Sequence, residues 1–310
     1  MNTGKNRKAQ GVVMTLTGGI LWGLCGSCGQ FLFQYKEATS NWLVPIRLMG
    51  AGILILFLLA VKNKKEILAV WEEPWGRRDI LIFSVFGMML CQYAYFTTIQ
   101  YSNAGTATVL QYTGPAMILV WLCIREQRKP KLYELVALVC AMTGTFILAT
   151  HGNLEQLSIP AKALAWGMAA AMALVVYTLQ PGRLMKEYST LLTLGWGMFL
   201  GGGVLALFVK PWTVHPVIDG QTVLSMAVII LLGTIGAFWL YLSGVQMVGA
   251  SNASMLASIE PVAATVISVV WLKVQFQIID FIGFIFVLST VFIVSLNQKK
   301  EEEGVRSNGR

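Results

Sequence analysis

The sequence predicts an all-α membrane protein, with ten transmembrane helices arranged as two inverted five-helix repeats. Three observations lead there. Of the 310 residues, 56% are hydrophobic and only 12% charged, and the mean hydropathy is +0.66, whereas a soluble domain is about one-quarter charged. Ten apolar segments follow one another, each near the roughly 20 residues that cross a hydrocarbon core of about 30 Å. The last third of each half also matches the other at a fixed offset of 146 residues. A water-soluble enzyme has nowhere to hide so much apolar side chain, and a disordered chain needs the opposite composition.

Gln10–Phe33 opens the series after a basic tail and has no small-residue cleavage site behind it, so it reads as a retained helix. Leu43–Val61 carries Arg47, and Ile80–Tyr101 holds an unusual density of polar groups from Gln92 to Gln100. Gly105–Ile124 has Pro115 near its middle, and Leu132–Thr150 is plainly apolar. Ile159–Thr178 carries the small-residue seam Ala163, Gly167, Ala171, and Leu191–Phe208 the seam Gly197, Gly201. Such seams let helices approach closely, as does Gly19-x-x-x-Gly23 in the first segment. Val223–Ser243 runs almost without a break into Ser251–Trp271, which carries Glu260 and Pro261, and Ile278–Leu296 closes the set. The expected units are residues 1–150, 151–298 and a charged cytoplasmic tail, 299–310.

The basic residues set the orientation. With the N-terminus placed inside, 18 Lys and Arg fall on the cytoplasmic side, in the tails and the connections around residues 62–78, 125–131 and 183–186. Only Lys36, Lys162, Lys210 and Lys273 fall outside, and Arg47 lies within a segment. That asymmetry over short loops places both termini in the cytoplasm. The net charge of +8 is therefore a matter of topology and anionic lipid, with no nucleic acid partner required. Trp42, Trp212 and Trp271 fall near the outer ends, Trp71 and Trp75 near an inner one, where interfacial Trp is expected.

At the offset of 146, Ala104, Ala107, Leu110 and Pro115 meet Ala250, Ala253, Leu256 and Pro261, and Val120, Phe146 and Ile147 meet Val266, Phe292 and Ile293. Each half holds five segments, an odd number, so the second half crosses in the opposite sense. Inverted repeats of this kind are common in secondary transporters, where substrate sits near the midplane.

The positions that carry chemistry lie in this frame. Pro115 and Pro261 remove an N–H and free the carbonyls of Gln111 and Ala257, and opened backbone at membrane depth belongs in protein or beside a wet cavity. Thr108, Gln111, Tyr112 and Pro115 follow helical spacing and make one polar stripe. Gln92 and Tyr95 offer hydrogen bonds, and Tyr177 and Trp239 offer aromatic surface. Ser251, Ser254 and Ser258 share a face, and a straight helix would turn Glu260 about 200° away from Ser258. Two full charges are embedded: Arg47, about 8 Å from the near end of its segment at 1.5 Å per residue, and Glu260 near the midplane. Charged groups at such depth are paired, wet or functional, which makes Glu260 a candidate charge or proton site.

Other chemistry finds little support. The five cysteines all lie inside apolar segments and read as small packing residues. His151 and His215 stand at segment ends, far apart in sequence and without nearby acid clusters, and there is no phosphate-cradling Gly-Lys-Ser/Thr loop or zinc-protease helix. No catalytic residue, metal or cofactor is expected.

The chain resembles the EamA-type members of the drug/metabolite transporter superfamily. Leu21-Trp22-Gly23 is similar to the family's Trp-Gly in its first helix, and Arg47-Leu48 with Gly50-Ala51 to its second-helix motif. Tyr241 through Pro261 resembles the join of helices eight and nine, ending in Glu260-Pro261-Val262. The family's Leu-Gly-Glu helix ends are replaced here by Ile124-Arg125-Glu126 and Trp271-Leu272-Lys273. The resemblance implies two inverted five-helix halves with helices five and ten at the periphery. It also implies export or exchange of small metabolites, amino acids or drugs. The ninth segment lacks Lys and Arg, which disfavours a phosphorylated anion. The expectation is an exporter of the cytoplasmic membrane, with a small-molecule substrate and membrane lipid as partners and proton coupling as an option. The alternatives are a broad drug-efflux carrier and a non-transporting protein or passive channel. Oligomeric state stays open.

Overall fold

The computed structural model describes residues 3–62, 64–102, 104–150, 159–271 and 278–308. Among these residues every regular element is helical. They form α1 (Thr3–Tyr35), α2 (Ser40–Lys62), α3 (Lys64–Glu72), α4 (Pro74–Tyr101), α5 (Ala104–Arg125) and α6 (Leu132–Thr150). The rest are α7 (Ala161–Leu179), α8 (Thr190–Val209), α9 (Gly220–Val248), α10 (Ala250–Leu256), α11 (Ile259–Trp271) and α12 (Ile278–Asn308). Eight helices, α1, α2, α4, α5, α7 with its extension to Glu187, α8, α9 and α12, are long and apolar enough to cross a membrane. A shorter apolar helix, Leu132–Leu148, lies within α6.

Local chemistry accounts for the element ends. Pro74 sits in the first turn of α4, where a missing N–H costs nothing. Ser189 caps α8 by accepting from the Leu192 amide at 3.2 Å, and Asp219 caps α9 by accepting from Thr222 at 2.9 Å. Gly249, at φ 85°, takes a left-handed conformation open to glycine and turns α9 straight into α10. The sequence pattern does not single out α3. Its Val70 is buried, and its Ile67 carbonyl accepts from the Trp196 indole of α8 at 2.9 Å. At the other end, α12 continues past Leu296 to Asn308 through a Lys- and Glu-rich stretch of good helix formers.

Two kinds of irregularity shape the middle of the bundle. The segment expected over Ser251–Trp271 is two helices, α10 and α11, parted at Ala257-Ser258, and α5 has a matching break at Tyr112. Each break lies about one turn ahead of a proline, where the ring removes a helical hydrogen bond. The Ala257 carbonyl is not left open as expected: the turn tightens and the Glu260 amide donates to it at 2.9 Å. In addition, Phe83–Met89 of α4 and Ile229–Gly236 of α9 are wound as wider π-helical turns. Such turns rotate the residues beyond them and recur at functional sites.

The helices pack in pairs: α2 along α8, α6 along α12, α1 along α9 and α4 along α7, with α11 also against α1. The small-residue seams do the close packing. A Cβ on Gly23 would lie 2.7 Å from the Glu260 carbonyl oxygen and 2.8 Å from the Ala264 amide, so only glycine lets α1 touch the α11 backbone. Gly167 of α7 receives Leu110, and Gly201 of α8 meets the Ser84 carbonyl.

Candidate functional site

Between these pairs lies a central cavity bounded by α1, α2, α4, α5, α7, α9, α10 and α11. From α1 come Trp22, Cys25 and Gly26, spaced three and four apart on one helical face. The π turn of α4 is followed by Cys91, Gln92, Tyr95 and Phe96, and that of α9 by Phe238 and Tyr241; all line the space. The α5 break presents Gln111, Tyr112 and Pro115, and the α10–α11 break presents Ser254, Ala257 and Glu260. The room inside is about 50 Å³ for the centres of water molecules, enough for a few waters.

Arg47 reaches this cavity from α2 and is 1% exposed. One guanidinium nitrogen donates to Gln92 Oε1 at 2.9 Å, another to Cys25 Sγ at 3.6 Å, and the group lies 4.6 Å over the Phe96 ring. Its Nε has no hydrogen-bond partner among the described residues. Glu260, 6% exposed, accepts one hydrogen bond, from the Tyr95 hydroxyl at 3.1 Å. The same hydroxyl lies 3.1 Å from Thr108 Oγ1. Neither Arg47 nor Glu260 has an ion-pair partner within 4 Å among the described residues.

Aromatic rings close one side. Trp22 packs against Phe238 at 5.1 Å and Tyr241 at 4.8 Å between centroids, and Tyr177 stacks on Tyr241 at 5.9 Å and meets Phe238 edge-on at 5.4 Å. The Trp22 indole N–H and the Tyr177 hydroxyl are buried without a partner among the described residues, so two further polar groups stand ready beside the rings.

The sequence-derived residues divide clearly by position. Arg47, Gln92, Tyr95, Gln111, Tyr112, Pro115, Tyr177 and Glu260 line the cavity together. Thr108 stands behind it and bonds Tyr95; Ser258 in the α10–α11 break and Pro261 in the first turn of α11 are buried without lining the space. Trp239 is 40% exposed and points away; its neighbours Phe238 and Tyr241 hold the inward positions. The break also changes the geometry of the acidic residue. A straight helix would part Ser254 and Glu260, but the turn at Ala257-Ser258 brings both to one cavity. Cys25, Cys91, Phe96 and Phe238 have no foreshadowing in the sequence, since apolar residues in an apolar helix carry no contrast. The Trp22-Gly23 pair is a usable signal: the Trp lines the cavity and the Gly seats α1 on α11. His215 is exposed, and His151 lies outside the described residues.

The profile of the EamA-like transporter family matches the chain twice, over residues 9–150 and 161–296. An uncharacterized inner membrane transporter of Salmonella typhimurium, YicL, is 36% identical over 297 residues, which is 96% of this chain and 98% of that protein. An uncharacterized transporter of Bacillus subtilis, YetK, is 27% identical over 268 residues, covering 83% of this chain and 78% of its own. A solved crystal structure matches with a TM-score of 0.75 over 95% of this chain and 99% of that one. Its identity is 15%, so that likeness speaks to the fold alone.

Proposed function

The chain belongs to the EamA-like transporter family, and from that premise we propose how this multi-pass membrane transporter works. It is a secondary transporter that exports small metabolites such as amino acids, by alternating access between two inverted five-helix repeats. The α6 helix is the fifth crossing, and α10 with α11 the ninth. Both termini are cytoplasmic, as the Lys and Arg distribution favours.

Several recurrences support two repeats. The family profile matches once in each half. The breaks at Tyr112 and Ser258 are 146 residues apart, as are the first residues of the π turns, Phe83 and Ile229. The packing pairs also exchange: α1 with α9 corresponds to α7 with α4, while α2 with α8 and α6 with α12 map onto themselves.

The observation that carries the reading is the cavity itself. It sits at the two helix breaks and takes walls from both halves, and the halves also touch at both ends of the bundle. At one end Lys36 meets Asp219 and the Val217 amide donates to the Lys36 carbonyl at 2.9 Å. At the other, Gln180 donates to the Asp79 carbonyl at 2.9 Å and Arg183 lies 4.0 Å over Trp75. Alternating access then opens one set while keeping the other. Glu260 is the charge or proton site.

Uptake of amino acids into proteoliposomes, with and without a pH gradient, tests this. Flux above protein-free vesicles that responds to the gradient is expected, and Glu260→Gln abolishes the response. A variant that keeps both flux and gradient response removes Glu260 from that role. The ring cluster of Trp22, Tyr177, Phe238 and Tyr241 favours one second reading, broad drug efflux. Growth protection by the expressed protein against several unrelated dyes would distinguish it.

A further inference from the structure

One end of the bundle is closed by an ion pair, and the matching end is not. Lys36, the residue after α1, meets Asp219, the residue before α9, at 2.5 Å. The equivalent places in the other two helices hold charges of the same signs. Glu73 immediately precedes α4, 146 positions before Asp219, and Arg183 stands just past α7 as Lys36 does past α1. Yet neither has an ion-pair partner within 4 Å among the described residues. Asp219 caps its helix, whereas the Glu73 side chain makes no cap bond. Arg183 lies instead on the face of Trp75, 4.0 Å from the ring centroid.

Both charges stand around one ring. Trp75 stacks on Tyr188 at 5.5 Å between centroids. Burial raises the Tyr188 hydroxyl above its ordinary value, the Glu73 carboxylate raises it further, and the Arg183 guanidinium opposes them. The turn that carries Glu73 is fixed. Arg77 donates to the carbonyls of Trp71 at 2.6 Å and Glu72 at 3.1 Å, and a Cβ on Gly76 would lie 2.5 Å from the Val70 carbonyl oxygen. Glu73 and Arg183 are exposed, so their long side chains can swing while that backbone stays in place.

We propose that Arg183 and Glu73 are the second latch of the transporter: they pair when Lys36 and Asp219 part, and hold the cytoplasmic end shut while the other end opens. The assignment rests on the alternating-access reading above and names the residues that position the halves in the opposite state. The reason is exchange. When the halves swap conformations, α7 and α4 take the relation that α1 and α9 have here. The cation after one helix then reaches the acid before the other. Glu72 and Glu187 also act on Tyr188, but neither occupies the place of Asp219. On the Trp75 face the guanidinium keeps a partner while its acid is away. An exposed cation–π contact and an exposed ion pair are of similar strength, so the side chain exchanges one for the other at little cost.

The test uses the full-length protein in proteoliposomes of known orientation, carrying Ser254→Cys on a background with the five native cysteines replaced. A membrane-impermeant maleimide is applied from each side in turn. Glu73→Gln should raise the ratio of cytoplasmic to outer labelling by about two- to fivefold, the shift that an exposed ion pair supplies. Arg183→Gln should raise it at least as much, and Glu73→Gln should add nothing beside it. The exchange of Glu73→Arg with Arg183→Glu should bring the ratio back. Asp219→Asn should move it the other way, and Glu72→Gln should leave it unchanged. A merely structural contact with Trp75 would let Arg183→Gln act while Glu73→Gln does nothing. That result, additive effects, or no rescue by the charge exchange would overturn the latch. Labelling that still changes side with substrate in those variants would leave alternating access standing. Labelling that favours neither side in any variant would take alternating access down, and the latch with it.

Discussion

Tyr95 of α4 and Glu260 of α11 stand 165 positions apart in the chain and meet through one hydrogen bond of 3.1 Å, the tyrosine donating to the carboxylate. It is the one protein hydrogen bond that Glu260's side chain accepts among the described residues, and it ties the first half to the second at the cavity wall. Tyr95→Phe should therefore cost about 1–3 kcal/mol of stability, the range for leaving a buried partner unsatisfied. The same change should cost much less beside Glu260→Ala, because removing both partners leaves no stranded group. Thermal unfolding of the four proteins of that cycle checks the coupling, and equal costs in both backgrounds would deny it.

Gly23 tests the seat of α11. A methyl there meets backbone atoms of Glu260 and Ala264 below 3.0 Å, and backbone cannot swing aside. Gly23→Ala should destabilise by about 1–3 kcal/mol, as overpacking does, and should weaken ligand binding by displacing Glu260. Gly203 of α8, with nothing within 4 Å of its Cβ position, is the control. Gly203→Ala should be neutral or slightly stabilising in the same unfolding assay, since alanine is the better helix former.

Lys36 and Asp219 join the halves at one end, 2.5 Å apart, with Asp219 also capping α9. The Lys36 ammonium and the Thr222 amide lower the Asp219 carboxyl to about 2. Because the folded value is depressed, the contribution of this pair is complete above the ordinary carboxylate value of about 3.9. It is lost only as pH falls through about 2. The latch should therefore be insensitive to pH across the neutral range yet weakened by salt, since Asp219 is partly exposed. Asp219→Asn should raise cysteine labelling at that end at pH 7, and raised salt should do so in the unmodified pair. Unlatching by a shift from pH 8 to pH 5 would contradict the account.

Phe238 and Trp239 are chain neighbours with opposite surroundings, 1% and 40% exposed. Trp239→Leu should leave ligand affinity within about twofold and stability within about 0.5 kcal/mol, as for surface changes away from special features. Phe238→Leu should lower affinity severalfold by opening the ring cluster. Calorimetric titration of the two variants with one amino acid checks the contrast, and a reversal would place the wrong face of α9 on the cavity.

The polar lining of the candidate site was legible because polarity in a lipid-embedded helix needs a reason. Arg47, Gln92, Tyr95, Gln111, Tyr112 and Glu260 stand out against apolar neighbours, and they share one cavity. Its apolar wall was not legible: Phe238 and Trp239 look alike in sequence, and one residue is a turn of about 100°. The π turns over Phe83–Met89 and Ile229–Gly236 shift that phase again and have no composition of their own. The prolines announced the breaks, but not their consequence, the rotation that brings Glu260 round to Ser254. Eight long apolar helices and the shorter one in α6 lie where apolar segments were marked. The segment over Ser251–Trp271 looks continuous because apolar content hides a break.

The central claim is a cavity that opens to one side of the membrane at a time. Ser254 lines it and is 3% exposed, so Ser254→Cys, on a background with the five native cysteines replaced, reports access directly. In proteoliposomes of known orientation, a membrane-impermeant maleimide should label this position from one side only, and saturating substrate should change the rate. Labelling from both sides at once would contradict alternating access and favour a channel. No labelling from either side, with or without substrate, would contradict transport through this cavity.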